Sequence, residues 1–151
     1  MPKHELKRTS KYSAKQMFDM AADVAEYRKF LPLVRESEVY DAFDDGDGIK
    51  RFKGKMRVRK KSLKIDETFI SDVVADENAL TIVSTASDGP VKHLVNAWKF
   101  TDLPGGGSQS EMALEYEVSS FAMRMIIKAS FGIIMDKLTE AFESRADELY
   151  S

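Results

Sequence analysis

The sequence shows no recognisable set of side chains for acid–base catalysis or metal binding. The chain has no cysteine, and its two histidines are His4 and His93. The lack of cysteine excludes disulfides, thiolate catalysis and cysteine-ligated zinc. Two separated histidines are a poor metal set, so we expect no bound metal. No convincing pair of a general acid and a general base is present, which argues against an enzyme and against a catalytic cofactor.

Two further polar features have a structural and a functional interpretation. Glu67 and Asn96 fall in predicted strands, where alternation can turn them inward. Such residues are usually satisfied polar groups of a core or its rim, and the alternative is a hydrogen bond to the polar head of a ligand. Three glycines at 105–107 lack a following Lys-Ser or Lys-Thr, so they predict a hairpin loop and not a phosphate cradle.

The stretch 121–150 is the most informative part of the chain. Residues 121–135 are apolar nearly all round, interrupted by Arg124 and Lys128, and residues 136–149 carry one apolar stripe with Leu138, Phe142 and Leu149. A surface helix normally has one apolar and one charged face. The apolar run is shorter than the ~20 residues that span a bilayer. This helix therefore lies in a concave sheet or faces an apolar partner, and both arrangements predict a protein that handles hydrophobic material.

The elements that must position these residues follow from periodicity and turn signals. Ser13 and Gln16 form a capping box that opens a helix, and a second short helical turn carrying Tyr27 and Phe30 ends at Pro32. A first strand is predicted at 4–12, six more at 34–43, 49–60, 62–75, 79–87, 92–102 and 109–120, and a long helix at 121–150. Short connections favour antiparallel neighbours. We therefore expect one α+β domain over residues 1–151, with a curled sheet filled by the last helix.

The alternation of polar and apolar residues along the strands predicts which face of the sheet is exposed to solvent and which is buried. Leu63, Ile65 and Phe69 are expected to point inward. The strand at 49–60 turns five cations outward, namely Arg51, Lys53, Lys55, Arg57 and Arg59. They form either a solvated face partly paired with Asp66 and Asp72, or a patch for phospholipid head groups or RNA phosphates. A net charge of −2 gives no overall attraction to nucleic acid.

Three segments resemble one protein family. Residues 23–32, DVAEYRKFLP, resemble its D-V-x-x-Y-x-x-F-L-P motif. Gly89-Pro90, Leu94 and the run 98–100 resemble its G-P-x-x-x-L-x-x-x-W-x-F strand, and residues 141–146 its A-F-E-x-R-A helix. The family comprises coenzyme Q-binding proteins and the bacterial ribosome-association toxins, within the START-like (polyketide cyclase/dehydrase-like) superfamily.

The resemblance implies a helix-grip fold. In that fold a curved seven-stranded antiparallel sheet wraps around a long C-terminal helix, two short helices follow strand 1, and a tunnel is left for a lipid. It also implies a non-catalytic protein that binds ubiquinone and acts as its carrier or chaperone in respiration and quinone synthesis. Two alternatives remain open: a ribosome-directed toxin using the row Arg51–Arg59, and a polyketide cyclase or dehydratase.

Inward alternation, the helix stripe and the resemblance together predict the site. The residues expected to contact a ligand are Val24, Tyr27, Phe30, Leu31, Phe52, Met56, Phe69, Asn96, Trp98, Met112, Leu114, Tyr116, Phe131, Ile134, Met135, Leu138 and Phe142. Asn96, Tyr116 and Tyr27 are the candidates to hydrogen-bond a quinone ring. Membrane or RNA contacts are expected from Arg51, Lys53, Lys55, Arg57, Arg59, Arg124 and Lys128. The N-terminal residues 1–5 lack the apolar core of a secretion signal, so we expect a cytoplasmic protein peripherally associated with the bacterial inner membrane.

Overall fold

A curved seven-stranded antiparallel sheet is the scaffold of the protein, seen here in a computed structural model. The structure describes residues 3–87, 89 and 91–151, and for Leu63, Ala122, Met123 and Ile126 it describes the backbone alone. Pro90 of the second family motif and the side chain of Leu63, expected to point inward, thus lie outside the described part. The strand order is β1-β7-β6-β5-β4-β3-β2, so the first strand pairs with the last.

The elements run in the predicted order. The strands are β1 Lys3–Ser10, β2 Val34–Asp44, β3 Ile49–Lys60, β4 Ile65–Asp76, β5 Thr81–Ala86, β6 Val91–Asp102 and β7 Ser108–Val118. The helices are α1 Ala14–Ala22, α2 Phe121–Tyr150 and two 3₁₀ helices, Val24–Lys29 and Lys61–Leu63. This is the α+β helix-grip fold that the sequence predicts.

Local chemistry explains where several elements begin. The capping box is present: the Ser13 hydroxyl accepts from the Gln16 N–H at 3.1 Å, and the Gln16 side chain accepts from the Ser13 N–H at 3.0 Å. β4 starts at Ile65 and not at the predicted residue 62, because 61–63 form a 3₁₀ turn and Lys64 adopts a φ of 55°. β1 ends at Ser10 and not at residue 12, because Tyr12 already belongs to the turn into α1.

Two apolar clusters hold the fold together, one at each end of the concave face. The first joins α1 to the sheet and to the end of α2, and contains Tyr12, Ala14, Met17, Phe18, Met20, Ala21, Val73, Ala75, Ile82, Phe100 and Ala146. The second lies under the beginning of α2 and contains Ala86, Val91, Tyr116 and Val118, with Phe69, Leu94, Leu114, Ile127 and Phe131 against it. The middle of the concave face therefore lies between two cores.

The C-terminal half of α2 is firmly attached to the N-terminal part of the chain. The Tyr12 hydroxyl donates a 2.5 Å hydrogen bond to the Asp147 carboxylate, and the Tyr150 hydroxyl donates one of 3.0 Å to the Gln16 carbonyl. The Tyr12 bond, helped by Lys11, holds the pKa of Asp147 below its usual value. Ala146 is completely buried. Leu149, expected on the apolar stripe, is 48 % exposed and lies in the last turn of the helix.

The N-terminal half of α2 is attached more weakly. Phe121, Met125 and Ile133 are 70, 51 and 64 % exposed. From β1, the ring of His4 stacks on Phe131 with centroids 3.8 Å apart, and Arg8 lies 3.9 Å from Asp136, where the two halves meet. The two halves of one helix thus differ in how strongly tertiary contacts hold them.

The turn between β6 and β7 gives a first testable prediction. Gly105, Gly106 and Gly107 all have positive φ, but only at Gly107 would an added Cβ clash with the backbone, at the carbonyl oxygen of Ser10. We expect Gly107→Ala to lower the free energy of unfolding by at least about 3 kcal/mol, since left-handed strain adds to a clash. Gly105→Ala, with open space around its Cβ, should lose only about 1 kcal/mol. Urea denaturation of both variants tests this, and equal losses would contradict it.

Candidate functional site

An apolar cavity lies between α2 and the concave face of the sheet. Its volume is about 70 Å³. Helix α1, strands β1, β6 and β7, and the middle of α2 surround it, and it lies between the two apolar clusters. The lining residues are Leu6, Arg8, Thr9, Ser10, Met17, Met20, Ala21, Trp98, Phe100, Ser110, Met112, Met135, Leu138, Thr139, Phe142 and Glu143.

The sheet register explains this lining. Phe100 faces Ser110 across β6 and β7, and Trp98 faces Met112 on the next rung, so all four side chains share the concave face. On the other side of β7, Leu6 pairs with Met112. The polar groups of the lining are concentrated where β1 approaches α2, and they include Arg8, Thr139 and Glu143.

The predicted ligand-binding residues divide into three groups. Trp98, Met112, Met135, Leu138 and Phe142 line the cavity. The remaining predicted residues lie at its two ends or along the sheet face beside it. Their contacts decide which of them a ligand in the cavity can reach.

An aromatic group closes the end of the cavity near α1. Phe142 packs edge-on against Tyr27, Phe30 and Trp98, with ring centroids 5.4–5.8 Å apart. The Tyr27 hydroxyl donates a hydrogen bond to the Ala21 carbonyl, and burial raises its pKa. Its proton is therefore already engaged, so the Tyr27 hydroxyl could meet a ligand only as an acceptor.

The opposite end is closed by a second aromatic group. His4 stacks on Phe131, and Tyr116 lies on the other side, 5.9 Å from the His4 ring. Burial raises the pKa of Tyr116, so its hydroxyl stays a neutral donor. Asn96 lies between this group and the cavity, since it faces Leu114 one rung from Trp98 and Met112. Neither the Asn96 side chain nor the Tyr116 hydroxyl has a hydrogen-bond partner within the described part of the chain.

The other predicted residues flank the cavity without lining it. Val24 and Leu31 are buried around the first 3₁₀ helix. Val24 packs against Gly54, so that its Cγ1 would lie 3.4 Å from a Cβ added to that glycine. Phe52 packs against the cluster at α1 and Phe69 against the cluster under α2. The remaining ones are half-buried residues of the concave face or of α2, namely Met56, Leu114 and Ile134. Glu67, opposite Val58, also takes a concave position, as its alternation predicts.

The row of cations on β3 lies on the convex face, and every member is matched by an acid. The guanidinium of Arg57 forms a bidentate ion pair with the Asp66 carboxylate, with hydrogen bonds of 2.7 and 2.8 Å. The Nζ atom of Lys53 lies 2.6 Å from the Asp72 carboxylate. The remaining pairs are Arg51–Asp45, Lys55–Glu38 and Arg59–Asp66. This geometry favours the solvated, internally paired face over a positive patch.

The cations of α2 stand in a different environment. Arg124 and Lys128 are exposed one turn apart. The exposed apolar residues Phe121, Met125 and Ile133 recur on the same half of the helix, at spacings of four and eight. Among the described residues no helix is long and apolar enough to cross a membrane. Exposed apolar side chains beside cations are nevertheless typical of a helix that lies on a membrane surface.

Sequence reasoning missed the contribution of β1 to the site. Leu6, Arg8 and Ser10 line the cavity because β1 pairs with β7. Their period-two spacing was a usable signal, but it is short and it includes a charged residue. Among the described residues, no three His, Cys, Asp or Glu side chains converge to hold a metal.

Comparison with known proteins agrees with this geometry. The family model "Polyketide cyclase / dehydrase and lipid transport" matches residues 10–143. The "Ribosome association toxin RatA" of Vibrio cholerae is 33 % identical over 153 residues, covering 92 % of this chain and 91 % of the relative. The mitochondrial "Coenzyme Q-binding protein COQ10" of Dictyostelium discoideum is 29 % identical over 150 residues, covering 97 % of this chain and 69 % of the relative.

Solved structures share the whole architecture. The 18 kDa protein CC1736 of Caulobacter crescentus has a TM-score of 0.82 at 26 % identity, with 99 % of each chain covered. A START superfamily protein of Mycobacterium smegmatis has a TM-score of 0.78 at 17 % identity, with 97 % of this chain and 98 % of that chain covered. The Zhui aromatase/cyclase of Streptomyces sp. R1128 has a TM-score of 0.77 at 17 % identity, with 97 and 93 % covered. With most of its length matched by the family model, this chain belongs to the polyketide cyclase/dehydrase and lipid transport family.

Proposed function

We propose that this protein binds ubiquinone or a similar isoprenoid lipid and carries it without changing it chemically. The observation that supports this most directly is the apolar cavity enclosed by α2 and the concave face of the sheet. The relative named as a coenzyme Q-binding protein matches nearly the whole chain. A carrier of this kind would support respiration and quinone synthesis while in peripheral contact with the inner membrane.

Binding would derive its free energy from the tail. Removing apolar surface from water contributes about 25 cal/mol per Å². Side chains of Trp98, Met112, Met135 and Leu138 offer such surface, and methionine adapts its shape to flexible partners. A volume of about 70 Å³ is small for a whole quinone, since ligand pockets usually measure about 300–1,000 Å³. Loading therefore requires the cavity to widen.

The ring of the quinone would need only one or two donors. Asn96 and Tyr116 supply free donors one and two rungs from the cavity lining, on the same sheet face. We place the ring near these two residues and the tail along Trp98 and Met112, toward α1. The hydroxyl of Tyr27 is not available as a donor because it is bonded to Ala21.

Organic extraction of the purified protein followed by mass spectrometry tests the function directly. We expect a co-purified isoprenoid quinone, and we expect added quinone to quench the fluorescence of Trp98, the only tryptophan. An Asn96→Leu/Tyr116→Phe variant should bind the quinone ring several-fold more weakly, since each lost hydrogen bond contributes about 1 kcal/mol. Protein that neither carries nor binds any isoprenoid lipid would contradict the proposal.

A second candidate function is association with the ribosome. It is favoured by the relative at 33 % identity, which is named a ribosome association toxin. Salt-sensitive sedimentation with large ribosomal subunits would support it, since phosphate contacts weaken with ionic strength. Cyclase chemistry is disfavoured, because we find no acid and base positioned together among the residues that line the cavity.

The weakly attached half of α2 gives a prediction about lipid entry. We expect part of the segment 123–134 to act as a gate that contacts the bilayer while the tail enters; the side chains of Met123 and Ile126 lie outside the described part. Amide hydrogens of 123–132 should exchange faster than those of 136–148, and vesicles or quinone should protect them. Full burial of the segment is the alternative, and it predicts uniformly slow exchange along α2 with no response to lipid.

A matched variant makes the same experiment sharper. A Cβ on Gly132 would meet nothing within 4 Å, so Gly132→Ala fits the structure. Alanine stabilises a helix by about 1 kcal/mol relative to glycine. Gly132→Ala should therefore slow exchange at 123–132 and slow quinone uptake, while the amount bound at equilibrium stays similar.

A further inference from the structure

A second concave site lies at the edge of the sheet, away from the apolar cavity. It is a groove of about 400 Å³ between the first 3₁₀ helix, β2 and β3. Its lining residues are all polar or charged, namely Arg28, Arg35, Glu36, Ser37, Glu38, Lys55 and Arg57. The lining contains four cations and two carboxylates, on a chain whose net charge is −2.

The cations of this groove are not equivalent. Arg57 is bound by Asp66 at 2.7 and 2.8 Å, and Lys55 lies 3.5 Å from Glu38. Arg28 and Arg35 are exposed and have no acidic partner within ion-pair distance among the residues that the structure describes. These two guanidinium groups are therefore free to bind an anion from outside.

Local structure fixes both arginines beside the groove. The buried Ser37 hydroxyl accepts a 2.9 Å hydrogen bond from the backbone N–H of Arg28 and donates one of 2.9 Å to the backbone carbonyl of Ala25. These two bonds attach the 3₁₀ helix to β2. A register shift between Val34 and Glu36 leaves Arg35 as the unpaired residue of a bulge, and bulges at sheet edges redirect side chains. The groove is thus preorganised on backbone contacts and not on flexible side chains alone.

We propose that this groove binds the sugar-phosphate backbone of RNA through Arg28 and Arg35. Guanidinium groups bind phosphate oxygens with paired hydrogen bonds. Glu36 and Glu38 would repel an isolated anion, but as acceptors they suit a ribose hydroxyl, which a nucleotide of RNA presents next to its phosphate. No aromatic residue lines the groove, so it reads the backbone and not the base sequence.

An anionic membrane suits the groove less well. Surface binding to lipid combines cations with apolar side chains that enter the interface. The exposed apolar residues of α2, Phe121 and Met125 among them, are not part of the groove. The inference goes beyond the proposed lipid function, and it can fail while lipid binding in the apolar cavity stands.

Fluorescence anisotropy with a labelled oligouridylate, and with the DNA oligonucleotide of matching length, tests the proposal. We expect RNA to bind more tightly than DNA, and Arg28→Gln/Arg35→Gln to weaken RNA binding about tenfold. The slope of log affinity against log salt should fall by about 1.4, because two contacts to single-stranded phosphates are lost. Unchanged quinone binding by this variant would show that it is folded.

The matched control removes the same charge from outside the groove. Arg51→Gln/Arg59→Gln deletes two convex-face cations that do not line it. We expect this variant to bind RNA within about twofold of the wild type. Equal weakening by both variants would overturn the proposal in favour of general charge attraction. The proposal would also be overturned if the wild type bound no RNA. It would be overturned likewise if the wild type bound phosphatidylglycerol vesicles instead of RNA and this binding required Arg28 and Arg35.

Discussion

Replacing Leu138 with arginine should lower the free energy of unfolding by at least about 2 kcal/mol and abolish lipid binding. Leu138 lines the apolar cavity on the side of α2 that faces the sheet. An arginine there would place a charge against Trp98 and Met112, in a lining whose own charged residues are Arg8 and Glu143. A charge buried without a partner is costly because it loses its hydration.

Urea denaturation and quinone binding of Leu138→Arg measure this effect. Leu149→Arg is the matched control: it puts the same change on the same helix, at a residue that is 48 % exposed. We expect it to change stability by less than about 0.5 kcal/mol. If the two variants lost similar stability, or if Leu138→Arg kept its ligand, the assignment of the helix face would be wrong.

Filling the cavity with a larger apolar side chain should raise the stability of the protein, whereas Leu138→Arg lowers it. Both changes should weaken lipid binding. Ser110 is buried, lines the cavity and faces Phe100 and Arg8 on the neighbouring strands. Leucine at this position would occupy the empty volume with apolar atoms. We expect Ser110→Leu to raise the free energy of unfolding by about 1 kcal/mol, as cavity-filling changes commonly do. Quinone affinity should fall more than about tenfold, since the tail loses its space.

The control for this variant is Ser84→Leu. Ser84 faces Asn96 on the same concave side of the sheet but does not line the cavity. The Ser84→Leu variant should keep most of the affinity that a long quinone tail adds. This part of the affinity is measured by comparing quinones with short and long tails. A Ser110→Leu protein that is more stable yet binds quinone as well as the wild type would show that the ligand lies elsewhere.

Signals that act over a few residues made the fold predictable. The capping box at Ser13 and Gln16, the glycine turn at 105–107 and the alternation on β3 each depend on neighbours in sequence, and each is present. The long apolar run predicted α2 and its place on the concave face. Turn signals and alternation predicted the seven strands, and the resemblance to the family implied the same number of strands and the grip of the helix.

Features that depend on register and distant pairing were not predictable. Asp66 and Asp72 were named from the sequence as partners of the convex cations, but Asp45 in the β2–β3 turn and Glu38 were not. Glu38 meets Lys55 only because of the antiparallel register. The engagement of the Tyr27 hydroxyl by Ala21 depends on a bend between α1 and the 3₁₀ helix. The contribution of Arg8 to the cavity depends on β1 joining the last strand.

The attachment of α2 to the start of the chain also has a consequence for biosynthesis. Tyr12 and Asp147 are 135 positions apart, and β1 can join the sheet only when β7 exists. Ribosomes add roughly 5–20 residues per second, so the first strand waits on the order of 10 s for its partners. During that interval the meander from β2 to β6 can form by local hairpins, while its concave apolar face stays uncovered. The nascent chain is therefore most prone to aggregation just before its last helix emerges, and it is at this stage that a chaperone would be most useful.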